Sequence, residues 1–495
     1  MLRLSFVCRQ FSNVRAARWI VAGRVISLLH VLNFSSAVSA AAAPAGWRAG
    51  VARADITPVD SVWMGGYAAR TRPADGSAPG SPALFAKALV LEDAGGSRVA
   101  LVSLDLLGID RPTSDRIRGR LNAECGLARG SVALCASHTH SGPVVGDCLR
   151  VAYPYGDAEA ARVRAYTDTL VDRVVDLVHQ AAAGLAPADV RYGVGSASFA
   201  VNRRANKEAL VDALTALDPL ELTGWHGLLA GPTDPDLPVL AVRDPAGRTV
   251  AVLFGYACHA TTLSGYDWSP DWPGYAAASI EAAQPGSTAL FVAGCGADQN
   301  PMPRRTVGLA AAFGRRAAAG VSAVLAGEMT PVTGPLVAGY REVELPFALL
   351  PSRERLDADQ ASSDPKQRFV ARRAAMLLER VRREGPLPTS YPYPVQTWRL
   401  GPAGPTLVLL GGEPVVDYAL RLKRELGGGA AGQPNGVWPI GYANDVMGYI
   451  PSRRVLAEGG YEGRDAAVYY GLPAPWAAEV EERIVAEVKR QVAGE

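Results

Sequence analysis

Short apolar runs alternate with longer amphipathic segments along most of this 495-residue chain. Residues 97–106 and 288–293 have the length and apolar content of buried strands, whereas residues 158–183 place valine, leucine and tyrosine near one face of a helix. Because predicted strands and helices interleave throughout, the pattern predicts an α/β fold.

The same patterns place the remaining elements. Further strands are predicted at 47–56, 82–92, 131–136, 190–200, 238–243, 249–256, 336–348 and 394–411, and helices at 113–121, 273–283, 309–325, 414–426 and 476–492. Residues 351–384 are charged and helical, and this segment is the candidate for an inserted excursion or lid.

The first 40 residues contain five arginines and no acidic residue. An apolar run at 25–34 leads into a stretch of small residues at 35–45, and the run is too short to span a bilayer as a stable helix. This order is typical of a secretory signal peptide. We therefore expect a signal peptide at 1–40, cleavage after Ala40, a mature domain at 46–495, and secretion or export to the periplasm.

Net charge argues against one class of partner. The chain carries +2, and removal of the five arginines with the signal peptide leaves −3. A nucleic-acid-binding domain would carry a basic excess. No nucleic-acid partner is therefore expected.

Cysteine usage gives little support to a thiolate metal site. Of the six cysteines, Cys8 lies in the predicted signal peptide, and no CxxC pair is present. An oxidising compartment would permit a disulfide such as Cys125–Cys148, although sequence alone does not establish pairing.

Three of the six histidines, His138, His140 and His259, directly follow predicted apolar strands. Loops at strand ends are where α/β proteins place their sites. In an H-x-H pair both side chains lie on one face, because strand direction alternates with period two. Two such imidazoles can ligate one metal, or one can ligate while the other acts as a base; the alternative is hydrogen-bonded loop histidines.

A hydrolytic zinc site needs three or four nitrogen or oxygen ligands and an open position for water. Glu413 is the best anionic candidate, since it lies between a buried strand and a helix predicted to begin at Pro414. A carboxylate there is also favoured by the helix dipole, so position alone leaves both interpretations open.

Several motifs, in their order and spacing, resemble those of the neutral, non-lysosomal ceramidases. The motifs are ADITP (54–58), MGGYA (64–68), SHTHSGP (137–143), ACHATTL (257–263), GGEP (411–414) and YANDVMGYIPSRRVLAEGGYEG (442–463). The resemblance extends through most of residues 48–490. It implies a layered catalytic domain with a mixed sheet, helices around it, and a metal site on loops at strand ends.

The resemblance also implies roles for individual residues. The implied zinc ligands are His138, His259, Glu413 and Tyr449, the implied catalytic pair is His140 as base and Tyr461 as hydrogen-bond donor, and the implied substrate contacts are Gly66, Arg203 and Gly294.

The implied reaction is hydrolysis of the N-acyl amide bond of ceramide or a related N-acyl lipid, giving a fatty acid and an amine by attack of a metal-activated water. The expected partners are that substrate, or another amide, and transiently a membrane surface. The oligomeric state is left open.

Two departures from the family pattern keep other functions in view. Gly294 stands where the family has a serine, so a serine acyl-enzyme is not expected, and adjacent Cys295 is either a nucleophile or a buried structural cysteine. The chain ends in a predicted helix where the family usually continues into an immunoglobulin-like domain, so the catalytic domain alone is expected. The alternatives are a zinc hydrolase of a different small amide or ester and a non-enzymatic secreted binding protein.

Overall fold

The computed structural model describes residues 46–77, 80–215, 229–427 and 436–494. The predicted signal peptide at 1–40 lies outside these residues, so export stays a prediction. Residues Ala45–Glu495 form one compact unit.

The described elements follow the predicted alternation closely. The strands are β1 (Trp47–Asp55), β2 (Gly76–Ser77), β3 (Phe85–Glu92), β4 (Arg98–Leu104), β5 (Val132–Ala136), β6 (Ala186–Ser196), β7 (Ala200–Asn202), β8 (Asp236–Arg243), β9 (Thr249–Tyr256), β10 (Asp267–Trp268), β11 (Thr288–Ala293), β12 (Gln299–Pro301), β13 (Thr330–Pro331), β14 (Leu336–Pro346), β15 (Ser390–Leu400), β16 (Thr406–Leu410), β17 (Glu413–Pro414), β18 (Val437–Ile440) and β19 (Tyr449–Ile450). The helices are α1 (Arg111–Cys125), α2 (Asp157–Ala183), α3 (Glu208–Thr215), α4 (Asp271–Ala283), α5 (Val307–Ala326), α6 (Arg353–Gln360), α7 (Arg368–Glu384), α8 (Val416–Leu426), α9 (Arg453–Glu458), α10 (Ala467–Tyr470) and α11 (Val480–Ala493).

The largest sheet is mixed. Within the described residues it has nine strands, in the order β11-β9-β8-β6-β1-β3-β4-β5 with β13 beside β6. The pairs β4–β5 and β9–β11 are parallel, whereas the others are antiparallel. The predicted α/β class with a mixed sheet is confirmed.

This sheet curls until its two ends approach each other. The Ser103 hydroxyl on β4 donates to the Phe291 carbonyl on β11 at 2.6 Å, and the Lys87 ammonium on β3 donates to the Ala289 carbonyl at 2.8 Å. The twist between neighbouring strands accumulates across the sheet and produces such a curl. The segments that follow β5 and β9 therefore meet, although these strands are far apart in the strand order.

Alternate residues of β4 contribute to two different cores, as the pleat of a strand requires. Ala100 and Val102 pack in a core with α1 and α2, whereas Val99 and Leu101 pack in a core shared with a second sheet, β14-β15-β16-β18. Helices α8 and α11 cover the far face of the second sheet. The result is the layered arrangement of sheets and helices that was expected.

Among the described helices, α5 alone is long and apolar enough to cross a membrane, judged by length and composition. Its buried residues Phe313, Ala317 and Val321 pack in one core with α4 and strands β8 and β9. Gly314 permits this close packing, because a Cβ there would lie 2.5 Å from the Cβ of Tyr275 on α4.

Two predicted elements differ from the observed ones. The single strand predicted at 190–200 is interrupted, because β6 ends at Ser196 and β7 leaves the large sheet to pair with β12. The helix predicted from Pro414 begins at Val416, because Glu413 and Pro414 form β17, which pairs with β19. Glu413 therefore lies in a strand and not in the first turn of a helix.

The disulfide considered between Cys125 and Cys148 is absent, since all five described cysteines are free. Cys125 ends α1, whereas the segment around Cys148 lies near the start of this helix, where the Asp147 amide donates to Asp110 at 3.0 Å. At 1.5 Å per residue the two ends of α1 are about 20 Å apart, well beyond the reach of a disulfide.

Candidate metal centre

Two loops of the large sheet bring the three strand-end histidines together. Thr139 forms a bridge with Ala260, and the His140 amide donates to the Ala260 carbonyl at 3.1 Å. The buried imidazole nitrogens of His138, His140 and His259 lie within 4.8 Å of one another. The grouping expected from H-x-H and the later histidine is therefore present.

Backbone carbonyls set the tautomers of two imidazoles. His138 Nδ1 donates to the Leu107 carbonyl and His259 Nδ1 donates to the Gly296 carbonyl, each at 2.7 Å. Because a carbonyl only accepts, each Nδ1 carries a proton, and in the neutral form of each imidazole the lone pair lies on Nε2. Such contacts commonly orient metal-binding histidines.

Glu413 completes the buried group. Its Oε2 lies 3.1 Å from His138 Nε2 and 3.3 Å from His259 Nε2. Neither Glu413 Oε2 nor His259 Nε2 has a hydrogen-bond partner. When the imidazoles are neutral, their Nε2 lone pairs face this carboxylate oxygen, which is unfavourable unless a cation, either a proton or a metal ion, lies among them.

The spacing of these atoms fits a zinc ion. Oxygen and nitrogen ligands at about 2.0–2.2 Å from a tetrahedral ion are separated by about 3.3–3.6 Å. The observed separations of 3.1 and 3.3 Å are close to this range. His138, His259 and Glu413 therefore have the donor atoms, burial and spacing to hold zinc.

The electrostatics keep these groups in their metal-binding forms. Burial, together with the nearby Arg203 guanidinium, lowers the pKa of His259 to about 4, so this imidazole is neutral at pH 7. Burial raises the pKa of Glu413, but its interactions with His138 and His259 outweigh burial and hold that pKa well below its usual range.

His140 lies beside His138, His259 and Glu413, and it also lines a cavity. Its Nε2 is 3.2 Å from His138 Nε2, and its ring packs edge-on against Tyr67 with centroids 4.8 Å apart. Burial lowers the pKa of His140 well below its usual value, and the neighbouring imidazoles act in the same direction. A neutral imidazole at this position can accept a proton. Its assigned role as base stays a prediction.

Tyr449 lies beside Glu413 because β17 and β19 pair in register at these two residues. Its hydroxyl accepts a hydrogen bond from Arg203 Nη2 at 3.0 Å, and Arg203 Nε donates to Glu462 at 2.8 Å. Arg203 also donates to the Asn300 side chain at 3.2 Å. Arg203 is thus held by protein groups next to Tyr449. The ligand role of Tyr449 and the substrate role of Arg203 stay predictions.

A cavity of about 820 Å³ lies beside these residues; His140 and Tyr449 line it, whereas His138, His259 and Glu413 do not. Five of the nine residues implied by the resemblance line it: Gly66, His140, Arg203, Tyr449 and Tyr461. Tyr461 is the most exposed of them at 43%, and its ring lies 5.3 Å from that of Tyr449. No residue of 351–384 lines this cavity, and the lid role considered for that segment stays a prediction.

Gly66 is placed directly against the His140 ring. It has a φ of +100°, and a Cβ there would lie 2.5 Å from His140 Cγ and Nδ1. Gly66 therefore allows the imidazole to occupy its position beside the cavity.

Substituting Gly66 with alanine is expected to lower kcat/KM for amide hydrolysis by about 10²-fold, because the methyl group would displace His140. Gly96→Ala is the matched control: Gly96 has a φ of +84° but open space around it. It should show the backbone strain without the loss of activity. Equal activity in the two variants would mean that the His140 position is unimportant.

Gly294 is buried away from the cavity, and a Cβ there would meet Ala257 at 3.1 Å. Its predicted substrate role stays untested. Adjacent Cys295 is fully buried in the core with α8 and α11, and burial raises the pKa of its thiol. A buried, protonated thiol is a poor nucleophile.

Cys295→Ser is expected to leave kcat/KM within about threefold of the unsubstituted protein, because the thiol takes no part in the chemistry. The substitution should instead lower the melting temperature of the protein, since a hydroxyl is harder to bury than a thiol. Steady-state kinetics and thermal unfolding measure the two effects. A thousandfold loss of activity with intact fold would restore Cys295 as a nucleophile.

Sequence reasoning missed several groups that support the centre. Glu462 lies within the YEG motif, which was a usable signal. The carbonyls of Leu107 and Gly296 gave no signal, because backbone contacts leave no mark on side-chain patterns. Asn300 and Tyr470, whose side chains contact Arg203 and Glu413, were also missed, since both lie outside the motifs named above.

Comparison with a known protein agrees with the sequence resemblance. A neutral ceramidase from Pseudomonas aeruginosa is 28% identical over 236 residues, which make up 46% of this chain and 33% of that protein. The match thus spans about a third of that relative's length.

Two solved structures share the fold. A ceramidase complexed with C2 superposes with a TM-score of 0.64 at 22% identity, covering 90% of this chain and 76% of that one. A neutral ceramidase from Pseudomonas aeruginosa gives a TM-score of 0.65 at 23% identity, covering 90% and 75%.

The profile for the N-terminal part of the neutral/alkaline non-lysosomal ceramidases matches residues 47–338, more than half of the chain. The matched region includes His138, His140, Arg203 and His259, and it ends before Glu413. The predicted resemblance is confirmed. The chain therefore belongs to the neutral/alkaline non-lysosomal ceramidase family.

Proposed function

We propose that this protein is a zinc-dependent amidohydrolase that cleaves the N-acyl amide bond of ceramide or a related N-acyl lipid, giving a fatty acid and an amine. One observation carries the proposal. Glu413 Oε2 lies 3.1 Å from His138 Nε2 and 3.3 Å from His259 Nε2, in a buried pocket beside a cavity that His140 and Tyr449 line. Family membership supports the substrate class.

In this proposal His138, His259, Glu413 and Tyr449 hold the ion. A bound zinc ion supplies Lewis acidity, which polarises the amide carbonyl and lowers the pKa of water towards about 7. These ligands come from four separate segments of the folded chain, and together they would fix the position of the ion.

The protein's own groups then handle the proton and the developing charge. His140 accepts the proton of the attacking water and returns it to the leaving amine as the carbon–nitrogen bond breaks. Tyr461, at the cavity wall, donates a hydrogen bond to the oxygen that becomes negative. Arg203 keeps Tyr449 in place through the hydrogen bond between them.

We also propose that the mature chain acts outside the cytoplasm, in secreted or periplasmic form, and contacts membrane surfaces transiently to reach a lipid substrate. The five arginines, apolar run and small-residue exit of residues 1–40 support export. N-terminal sequencing of protein recovered outside the cytoplasm tests it, and an intact residue 1 on all of that protein would contradict it.

The central experiment measures metal content and hydrolysis in the same preparation. Purified protein is expected to contain one zinc per chain and to release fatty acid from ceramide. A chelator should remove both the metal and the activity, and added zinc should restore them. Hydrolysis that continues at the original rate in metal-free protein would contradict the proposal.

A second candidate function is hydrolysis of a smaller, polar amide or ester by the same centre. The described walls of the cavity favour it, because they contain many paired charges. Arg204 pairs with Glu458 and Glu462, and Arg304 pairs with Glu208. Among the described lining residues, Met302 is the only aliphatic side chain.

A substrate panel separates the two candidates. Ceramides of short and long acyl chain are compared with N-acyl amino acids and short esters at equal concentration. Highest kcat/KM for ceramides supports the lipid substrate. A preference for water-soluble amides or esters by tenfold or more, about 1.4 kcal/mol, supports the second candidate.

A further inference from the structure

Glu413 uses its two carboxylate oxygens differently. Oε2 faces the imidazoles of His138 and His259, whereas Oε1 accepts a hydrogen bond from the Tyr470 hydroxyl. Tyr470 lies 57 residues further along the chain. A hydrogen bond at one oxygen of a flexible carboxylate restrains its rotation and keeps the other oxygen directed at the imidazoles.

The Tyr470 ring is itself held in place. It is the last residue of α10, and Gly471 ends that helix with a φ of +72° and an amide that donates to the Val468 carbonyl at 3.2 Å. The ring also packs nearly perpendicular to Tyr449, with centroids 6.2 Å apart. The hydroxyl therefore approaches Glu413 from a fixed direction.

Tyr470 does not face the cavity that contains His140. It lines a separate cavity of about 580 Å³, whose walls include Cys148, Met447 and Leu472. A substrate bound beside His140 would not contact this ring. Any effect of Tyr470 on the centre must therefore act through Glu413.

We propose that Tyr470 is a positioning residue that orients the Glu413 carboxylate, with Oε1 anchored and Oε2 directed at the imidazoles, and thereby strengthens zinc binding. The inference deepens the proposed function and rests on it for the identity of the metal. Hydrogen-bond partners of metal ligands commonly contribute 10- to 100-fold in metal affinity, so the effect is measurable.

The test is Tyr470→Phe, which removes the hydroxyl and keeps the ring. The Kd for zinc, measured by competition with a chromogenic chelator, is expected to rise by about 10- to 100-fold. Tyr418→Phe is the matched control. Tyr418 is fully buried in the core with α8 and α11, and its hydroxyl donates to the Pro451 carbonyl at 3.2 Å, so the variant loses a comparable hydrogen bond that does not involve the Glu413 carboxylate.

A double-mutant cycle separates positioning from a general loss of stability. In a Glu413→Gln background, Tyr470→Phe should change the Kd for zinc by less than about twofold, because the anchored carboxylate is already gone. A Kd for Tyr470→Phe within about twofold of the unsubstituted protein would overturn the inference. An equal loss in Tyr418→Phe, or an undiminished loss in the Glu413→Gln background, would also overturn it.

These measurements do not depend on catalysis. If the protein binds zinc and Tyr470→Phe weakens that binding, the inference holds even when no amide in the panel is cleaved. If ceramide is cleaved but zinc affinity is unaffected by Tyr470→Phe, the inference fails and the proposed function stands.

Discussion

Replacing His138 with alanine is expected to remove both the metal and the activity. His138 Nε2 lies 3.1 Å from Glu413 Oε2, closer than His259 Nε2 at 3.3 Å, and the side chains of His138 and Glu413 are each 1% exposed. Structural zinc sites bind with about 10–16 kcal/mol shared among their ligands, so losing one ligand should raise the Kd for zinc by at least about 10²-fold. With the centre empty at micromolar zinc, kcat/KM should fall by about 10³-fold or more.

Inductively coupled plasma mass spectrometry and the amide-hydrolysis assay measure the two losses. The matched control is His179→Ala, which removes a half-exposed imidazole from α2 that contacts Glu124 on the protein surface. This control should keep metal and activity. Activity at the original level in His138→Ala would show that the centre is wrongly assigned.

The second large effect is expected from replacing His140 with alanine. Unlike His138→Ala, this variant should lose activity without losing zinc. In His140→Ala the zinc content should be retained, because His138, His259 and Glu413 remain, whereas kcat/KM should fall by about 10²- to 10⁴-fold through loss of the general base. Because His140 lines the cavity, added imidazole can reach the vacated space and should restore part of the rate.

His140→Ala also tests the alternative that the H-x-H pair permits, in which His138 and His140 both ligate the metal ion. His140 Nε2 lies 3.2 Å from His138 Nε2, close enough for both imidazoles to share one ion. If His140→Ala loses zinc as His138→Ala does, His140 is a ligand and another group must move the proton. Retained zinc with full activity would exclude both roles.

Local patterns in the sequence were sufficient to predict most of the elements. The strand at 288–293 was predicted with its observed ends, and the helix predicted at 158–183 was observed as Asp157–Ala183. The strand is a short apolar run and the helix has long, regular periodicity, and both patterns depend on the residues themselves. The prediction at Pro414 was wrong, because a pairing with Tyr449 and Ile450 determined the structure there, and no local pattern reports a partner so far along the chain.

In the site, too, some features were predictable from the sequence and others were decided by the folded structure. The sequence by itself determined the chemistry available: imidazoles at strand ends, a carboxylate between a strand and a helix, and motifs whose order identified the family. Only the tertiary structure decided which atoms meet. The curl of the sheet joins the loops after β5 and β9, carbonyls of Leu107 and Gly296 direct two imidazoles, and Tyr470 anchors Glu413.

The physical reason is that these contacts join segments more than 30 residues apart through backbone groups or through side chains without a motif. A residue's type and neighbours determine its helix or strand preference and its donor atoms. Its partners depend on how the whole sheet twists and packs, and that is a property of the folded chain.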